Sequence, residues 1–369
     1  MKKEFDSQSL RIFDNKFDRM GIVIKPNDIP KDPSDYPIEI LESGNLNPED
    51  EIVRIVESNF APAYDEVQFT TPGMRNMAER DTALLEAWLG DPTGKRVLDI
   101  GPGTGRITLP LSETVGTSGR VYAIETALPY LERLRAKAAL AGVDSNRLKL
   151  GLGDIQQVSQ ETLMRVLENE PVDFVTMWFG PLALMTTAPE KVLEACALSL
   201  KPGGRLLITT NSLDGLAYRI PEAARRKNKS TGLPLGYQPS IYTRRNFLDR
   251  INNRPSGMIL GNDQILPAIF YDPLELASLL VEKGLRIEEI RGITRLTGLF
   301  PADPSDPVAL EGFIKVISQI EPDLAERIKK SGINPQEVWR IIQEADATLA
   351  KDPGRIKEFV YIAIKAVKE

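Results

Sequence analysis

The chain has 369 residues, 42% hydrophobic and 27% charged, with a formal net charge of −6. That length suits one large domain with additions, or two domains, and the acidic balance excludes a global basic footprint for nucleic acid while leaving room for a local patch. Histidine is absent and cysteine occurs once, at Cys196, which excludes a Ser-His-Asp triad, a histidine base, an internal disulfide and any histidine- or cysteine-cluster metal site.

No metal is therefore expected, and proton transfer falls to Asp, Glu, Lys, Tyr, backbone or water. The stretch LEACALSL places Cys196 on a buried helix rather than at a reactive position. The first residues, MKKEFDSQSL, lack an apolar signal core. The most apolar run, Phe174 to Met185, is too short to span a bilayer. A cytoplasmic location with no membrane partner is the expectation.

Residues 1–60 read as an N-terminal extension or cap. They contain KPNDIPKDPSDYP, which excludes regular helix and central strand, and EDEIVRIVES, a short amphipathic helix. Residues 61–369 read as one domain. A helical pattern runs from Met74 to Leu89. Strands and helices then alternate: KRVLDI, helix Thr104 to Thr114, GRVYAIE, helix Ala127 to Ala141, RLKLGLG, helix Gln160 to Asn169, VDFVTMWF, helix Pro189 to Leu200, and RLLITTN after a KPGG turn. Strands separated by helices indicate βαβ units and a parallel sheet.

The rhythm breaks over 212–270, a loop-rich insertion whose 219–254 stretch is rich in Arg and Lys. It resumes with helix PLELASLLVEKG and strand LRIEEIRGI. A second insertion, 303–352, follows the linker PADPSDP. It contains amphipathic helices, one with Leu310, Phe313, Ile314 and Ile317 on a stripe and one capped at Asn334 with Val338, Ile342, Ala345 and Leu349 inward. The strand EFVYIAIKA comes last.

One turn carries chemistry. VLDIGPGTG ends a strand with Gly101, Gly103 and Gly105 at alternate positions, where bare backbone can approach a ligand. The spacing is neither a dinucleotide fingerprint nor a P-loop. By itself it is equally a structural bend. Its companions are Glu125, ending the next strand where a carboxylate meets a ribose, and Gly153-Asp154, ending the third where adenine would lie. Asp154 has a competing reading as a helix N-cap.

With LKPGG added, this set resembles the class I S-adenosylmethionine-dependent methyltransferases. The resemblance implies an α/β fold with a seven-stranded, mostly parallel sheet, helices on both faces and the last strand antiparallel. LRIEEIRGI and EFVYIAIKA would be strands six and seven. It implies S-adenosylmethionine as cofactor. Gly101, Pro102, Gly103 and Gly105 would lie against its methionine part, ordered by Asp99. Glu125 with Thr126 would hold the ribose, Asp154 with Ile155 the adenine, and Trp178 would stand beside the transferred methyl.

The acceptor is less defined. Trp178-Phe179-Gly180-Pro181 lacks the motifs of amino-methylating and cytosine-C5 DNA enzymes and offers no carboxylate for a magnesium site. The two rings are either an aromatic wall or core. The 212–270 segment would be a substrate lid suited to an anionic small molecule, or a solvated positive loop. Trp178, Tyr218 and Tyr242 are the catalytic candidates, and Tyr237 and Tyr271 could line the site. Arg75 or Arg80 could meet the cofactor carboxylate. The 303–352 helices either cap this face or mediate a homodimer. The expected function is methyl transfer to an O, N, C or S atom of a small molecule. The alternatives are RNA methylation through the basic 219–254 segment and cofactor binding without catalysis.

Overall fold

The computed structural model describes residues 35–41, most of 51–65, 72–212, 257–260, 264–267 and most of 269–369. Parallel strands covered on both faces must be apolar almost throughout. RVLDI, RVYAIE and VDFVTM obey this, and become β2 (Arg96–Ile100), β3 (Arg120–Glu125) and β5 (Val172–Met177). With β1 (Ile38–Ile40), β4 (Leu148–Leu152), β6 (Leu200–Asn211), β9 (Leu285–Thr294) and β10 (Tyr361–Lys368) they form one eight-stranded sheet. Its order is β1-β4-β3-β2-β5-β6-β10-β9, and β10 alone runs against its neighbours. The seven expected strands are present in the expected arrangement. The eighth, β1, comes from the extension and pairs in parallel with β4, Ile38 opposite Leu150. Only three residues long and with Ile40 74% exposed, it carries no buried periodicity to announce it.

Helices cover both faces. On one lie α1 (Pro72–Leu89), α2 (Thr108–Thr114) and α3 (Leu128–Ala141), sharing a core with Val97, Val121 and Leu207. On the other lie α4 (Gln160–Val166), the short α5 (Pro181–Leu184), α6 (Pro189–Ser199) and α7 (Pro273–Glu282), packed on Leu98, Ile100 and Leu206. Neighbouring strand residues such as Val97 and Leu98 thus serve opposite layers. Cys196 lies in the second core, where burial pushes its thiol up to about 12.

Three boundaries differ from expectation. α2 begins at Thr108 rather than Thr104, because Gly105 sits at φ +92°, outside helical space. α4 stops at Val166, with Glu168 and Asn169 both at positive φ. The last strand starts at Tyr361, later than EFVYIAIKA suggests. Within the segment expected to be loop-rich, β7 (Gly257–Leu260) and β8 (Gln264–Pro267) pair antiparallel. The basic 219–254 stretch, with Tyr218, Tyr237 and Tyr242, lies outside the described residues.

The second insertion forms α8 (Pro307–Ile320), α9 (Pro322–Lys330) and α10 (Pro335–Leu349), whose apolar stripes meet around Phe313, Ile317, Ile328 and Val338. Asp346, fully buried, fastens this unit to the end of β9. Its carboxylate accepts from Leu296 N and Thr297 N, each at 2.9 Å, and from Thr297 Oγ1 at 2.7 Å. Arg80 of α1 approaches the same carboxylate at 3.6 Å. Arg80 thus has a carboxylate partner in the 303–352 unit, and the side chain of Arg75 lies outside the described residues. Among the described residues no helix is long and apolar enough to cross a membrane.

Candidate cofactor and active site

In an open sheet, ligands bind beyond the carboxyl ends of the strands where the chain order reverses. Here that point is between β2 and β5, with β3 and β4 to one side and β6 to the other. The glycine turn leaves β2 at this point. Gly101 stands at φ +69°, and a Cβ on it would lie 2.7 Å from Pro181 Cβ, just past β5. The two strand ends therefore touch across the crevice through bare backbone.

Gly105 is confined differently. A Cβ there would sit 2.3 Å from Leu134 Cδ1 and 3.1 Å from Leu109 Cγ. The Gly105→Ala variant is expected to lose about 2–4 kcal/mol, combining a positive-φ penalty with overpacking. Chemical denaturation measures it, and a loss below about 1 kcal/mol would show that α3 yields freely.

Asp99 ends up fully enclosed. Thr108 Oγ1 donates to it at 2.6 Å and Thr176 Oγ1 at 2.7 Å, joining β2 to α2 and β5. Burial raises its pKa, with the two hydroxyl bonds opposing.

Glu125, 8% exposed, curls back over its own strand end. Its carboxylate accepts from Gly103 N at 3.1 Å, Thr126 N at 2.8 Å and Ala127 N at 3.2 Å, with Thr126 Oγ1 at 3.3 Å. The acidic strand end and the glycine turn are thus one hydrogen-bonded unit. Burial raises the Glu125 pKa, and these backbone donors work the other way.

Beside it, Gly153 N donates to Glu125 O at 2.9 Å and brings Asp154 next in line. The N-cap of α4 is Ser159, which accepts from Thr162 N at 3.1 Å. Asp154 instead opens a single turn, accepting from Gln156 N at 2.9 Å. Ile155 turns its side chain into the core, leaving backbone as what it can offer a ligand. Gln156 has no motif to mark it. Its Oε1 accepts from Thr187 N at 3.0 Å and Ala188 N at 2.9 Å, tying the β4 turn to the segment after α5.

The β5 end departs from strand geometry. β5 stops at Met177, and Phe179 adopts φ +75°, a left-handed conformation costing about 1–2 kcal/mol for a residue with a Cβ. Alternation no longer applies, so Trp178 and Phe179 face the same layer. Phe179 meets two partners. The Arg106 guanidinium lies 4.8 Å from its centroid, and the Tyr361 ring stacks at 5.7 Å. Phe179 is thus packed against both Arg106 and Tyr361 while still bordering a cavity. Trp178 meets Trp88 edge-on at 5.9 Å, and its indole Nε1 is buried with no hydrogen-bond partner among the described residues. Tyr271 is buried at the end of β6, bridging to Ser212.

Arg106 was not singled out by its sequence context. It forks onto Asp81 of α1 with both bonds at 2.8 Å and reaches Thr82 at 2.9 Å. Burial opposes the charge, and the Asp81 carboxylate more than compensates, holding Arg106 above its usual range. With Tyr64, Asp99, Gly101, Trp178 and Phe179 it lines a cavity of about 20 Å³.

Residues 97–204 match the family model described as "Methyltransferase domain", and this part of the chain is similar to S-adenosylmethionine-dependent methyltransferases. The chain is 35% identical over 135 residues to the ubiquinone/menaquinone biosynthesis C-methyltransferase UbiE of Pseudomonas savastanoi pv. phaseolicola, covering 35% of this chain and 48% of that protein. It is 28% identical over 147 residues to an uncharacterized methyltransferase of Emericella nidulans, covering 39% of this chain and 47% of that one. The chain thus spans about half the length of the curated relatives it matches. A crystal structure of magnesium protoporphyrin IX methyltransferase from Synechocystis PCC 6803 aligns over 87% of this chain and all of its own, at 12% identity and a TM-score of 0.46.

The donor set suits the cofactor. Two carboxylates stand at adjacent strand ends for hydroxyl and amino donors, and the Trp178 N–H is unspent beside the glycine turn. The cavity reaches only part of this set, since neither Glu125 nor Asp154 lines it.

Proposed function

We propose that the chain transfers a methyl group from S-adenosylmethionine to a small-molecule acceptor. The observation that carries this is Glu125, held in one hydrogen-bonded unit with Gly103 at the switch point of the sheet. In this reading Glu125 and Thr126 hold the ribose, and Asp154 with the Ile155 backbone holds adenine. Gly101, Pro102, Gly103 and Gly105 border the methionine part over Asp99, and Trp178 lies beside the reacting centre.

The cofactor supplies an electrophilic methyl on a sulfonium. The residues around it align the acceptor and keep water out. With no histidine in the chain, a proton leaving the acceptor goes to a carboxylate, a tyrosine or water. Tyr218 and Tyr242 are candidates on the lid proposed for 212–270. The C-methyltransferase relatives support carbon among the candidate acceptor atoms. We propose the matching division of the chain: an extension over 1–60 and a catalytic domain over 61–369, carrying the lid and the 303–352 helical insertion.

Incubating the full chain with methyl-labelled cofactor and separate metabolite and RNA fractions tests this. Label in a small molecule is expected. Label in RNA overturns the acceptor class, and cofactor binding with no transfer to either fraction overturns the enzymatic reading.

A further inference from the structure

Two indoles meet on the α1 side of the sheet, and their N–H groups are served differently. Trp88 Nε1 donates to Glu289 of β9 at 2.9 Å. Trp178 lies edge-on to Trp88 at 5.9 Å and is 4% exposed. Its Nε1 is buried with no hydrogen-bond partner among the described residues. A buried N–H with nothing to donate to is costly, and a tryptophan in a core normally finds an acceptor. The open space that Trp178 borders is the cavity between the glycine turn and the end of β5.

A second set of donors borders the same cavity. A guanidinium carries five N–H hydrogens. Among the described residues, Arg106 bonds through Nη1 to Asp81, Thr82 and the Ala78 carbonyl, and through Nη2 to Asp81. Its Nε–H and one Nη2 hydrogen are left uncommitted. The fork on Asp81 and the Phe179 ring at 4.8 Å hold the group in one orientation, so little freedom is lost when it donates again. Asp99, the one carboxylate among the lining residues, already accepts from Thr108 and Thr176.

We propose that this cavity is a carboxylate subsite, in which the Trp178 indole N–H and the uncommitted hydrogens of Arg106 donate to a carboxylate oxygen. This rests on the reading of the Glu125 crevice as the S-adenosylmethionine site, which puts the cavity at the methionine end. At about 20 Å³ it has room for one water-sized group, the size of a single oxygen and its hydrogen bonds. Two sources present that oxygen: the amino-acid end of the cofactor, and an acidic acceptor lying beside the methyl. The charge of Arg106 is balanced by Asp81, so the subsite works through directed bonds more than through net charge. Burial raises the Asp99 pKa, which reduces the repulsion an entering carboxylate meets. A cofactor carboxylate also brings an α-ammonium two bonds away, and that charge offsets Asp99.

Calorimetry on the full chain tests the cofactor as source, because S-adenosylhomocysteine carries the amino-acid end and 5′-methylthioadenosine lacks it. Trp178→Phe keeps an aromatic ring and deletes the N–H. If the cofactor fills the subsite, Trp178→Phe weakens S-adenosylhomocysteine about tenfold and leaves 5′-methylthioadenosine unchanged. If the acceptor fills it, neither affinity changes. Acetate added to the protein saturated with S-adenosylhomocysteine then moves the Trp178 indole proton resonance downfield and saturably, and no indole signal moves in Trp178→Phe.

Equal weakening of both nucleosides shows that the ring acts by shape, and overturns the subsite. No dependence on Trp178 in either arm leaves a cavity that holds water only, and overturns it as well. If Trp178→Phe does not fold, the wild-type resonances decide, with Trp88 and Trp339 assigned through their own Phe variants. A Trp178 signal that stays in place with acetate, and is the same with both nucleosides, overturns the proposal. Weakened S-adenosylhomocysteine binding by Glu125→Ala, with Trp178 indifferent in both arms, removes the subsite and leaves the cofactor site standing. Unweakened binding by Glu125→Ala removes the site reading and the subsite with it.

Discussion

Asp81→Ala is expected to cost about 3–5 kcal/mol of folding stability, because it strands a buried guanidinium. Arg106 is 8% exposed and Asp81 is 1% exposed, so neither can recover water when the other is removed. The loss spreads further than the pair. Arg106 also lies over Phe179, which stacks on Tyr361 of β10, so one guanidinium joins α1, the glycine turn, the end of β5 and a distant strand. Urea denaturation measures the effect as a shift in midpoint. Replacing both partners with apolar residues, as in Asp81→Leu with Arg106→Met, should recover much of it, since the desolvation of both charges disappears together. A loss under about 1 kcal/mol in Asp81→Ala would show that water reaches the pair.

Glu125→Ala should weaken S-adenosylhomocysteine binding about a hundredfold by calorimetry. Two ribose hydroxyls donating to a buried carboxylate make charge-assisted bonds, each about 1.5–3 kcal/mol. Removing it also strands Gly103 N, Thr126 N and Ala127 N, so the turn loses its shape with its ligand. Glu125→Gln is expected to do little better. A side-chain amide turns an NH₂ toward a position where three backbone donors already converge. Affinity within twofold of wild type in both variants would remove Glu125 from the site.

What the sequence made legible follows from how local each signal is. The parallel strands stood out because burial on both faces leaves continuous apolar runs such as VLDI and VYAI. Gly101, Glu125 and Asp154 stood out because they sit at strand ends, where position along the chain maps onto position around the crevice. The start of α2 was hidden because Gly105 takes a positive φ in a place where Leu134, a residue of another helix, leaves no room for a Cβ. Arg106 with Asp81, Asp65 with Lys137, and Gln156 with the 187–188 backbone were hidden for the same reason. Each is a polar side chain whose partner is chosen by the fold, and nothing beside it in the chain marks it. Phe179 shows the limit most plainly. Two adjacent aromatic residues after a strand imply opposite faces, and one positive φ places both on the same side.

The placement of β10 has a consequence for the order in which the protein assembles. Its residues 361–368 fill the slot between β6 and β9, donating and accepting along both edges at once. While the chain is still being made, β6 and β9 leave the ribosome with that slot open and their facing backbone groups unpaired. The half of the sheet from β4 to β6, with the glycine turn and Glu125, can form early from neighbouring βαβ units. The other half waits for the slowest kind of contact, one that closes a loop from Asn211 to Tyr361. During that interval β6 presents an open edge to other nascent chains. In the finished sheet β10 pairs with that edge from Arg205 to Asn211.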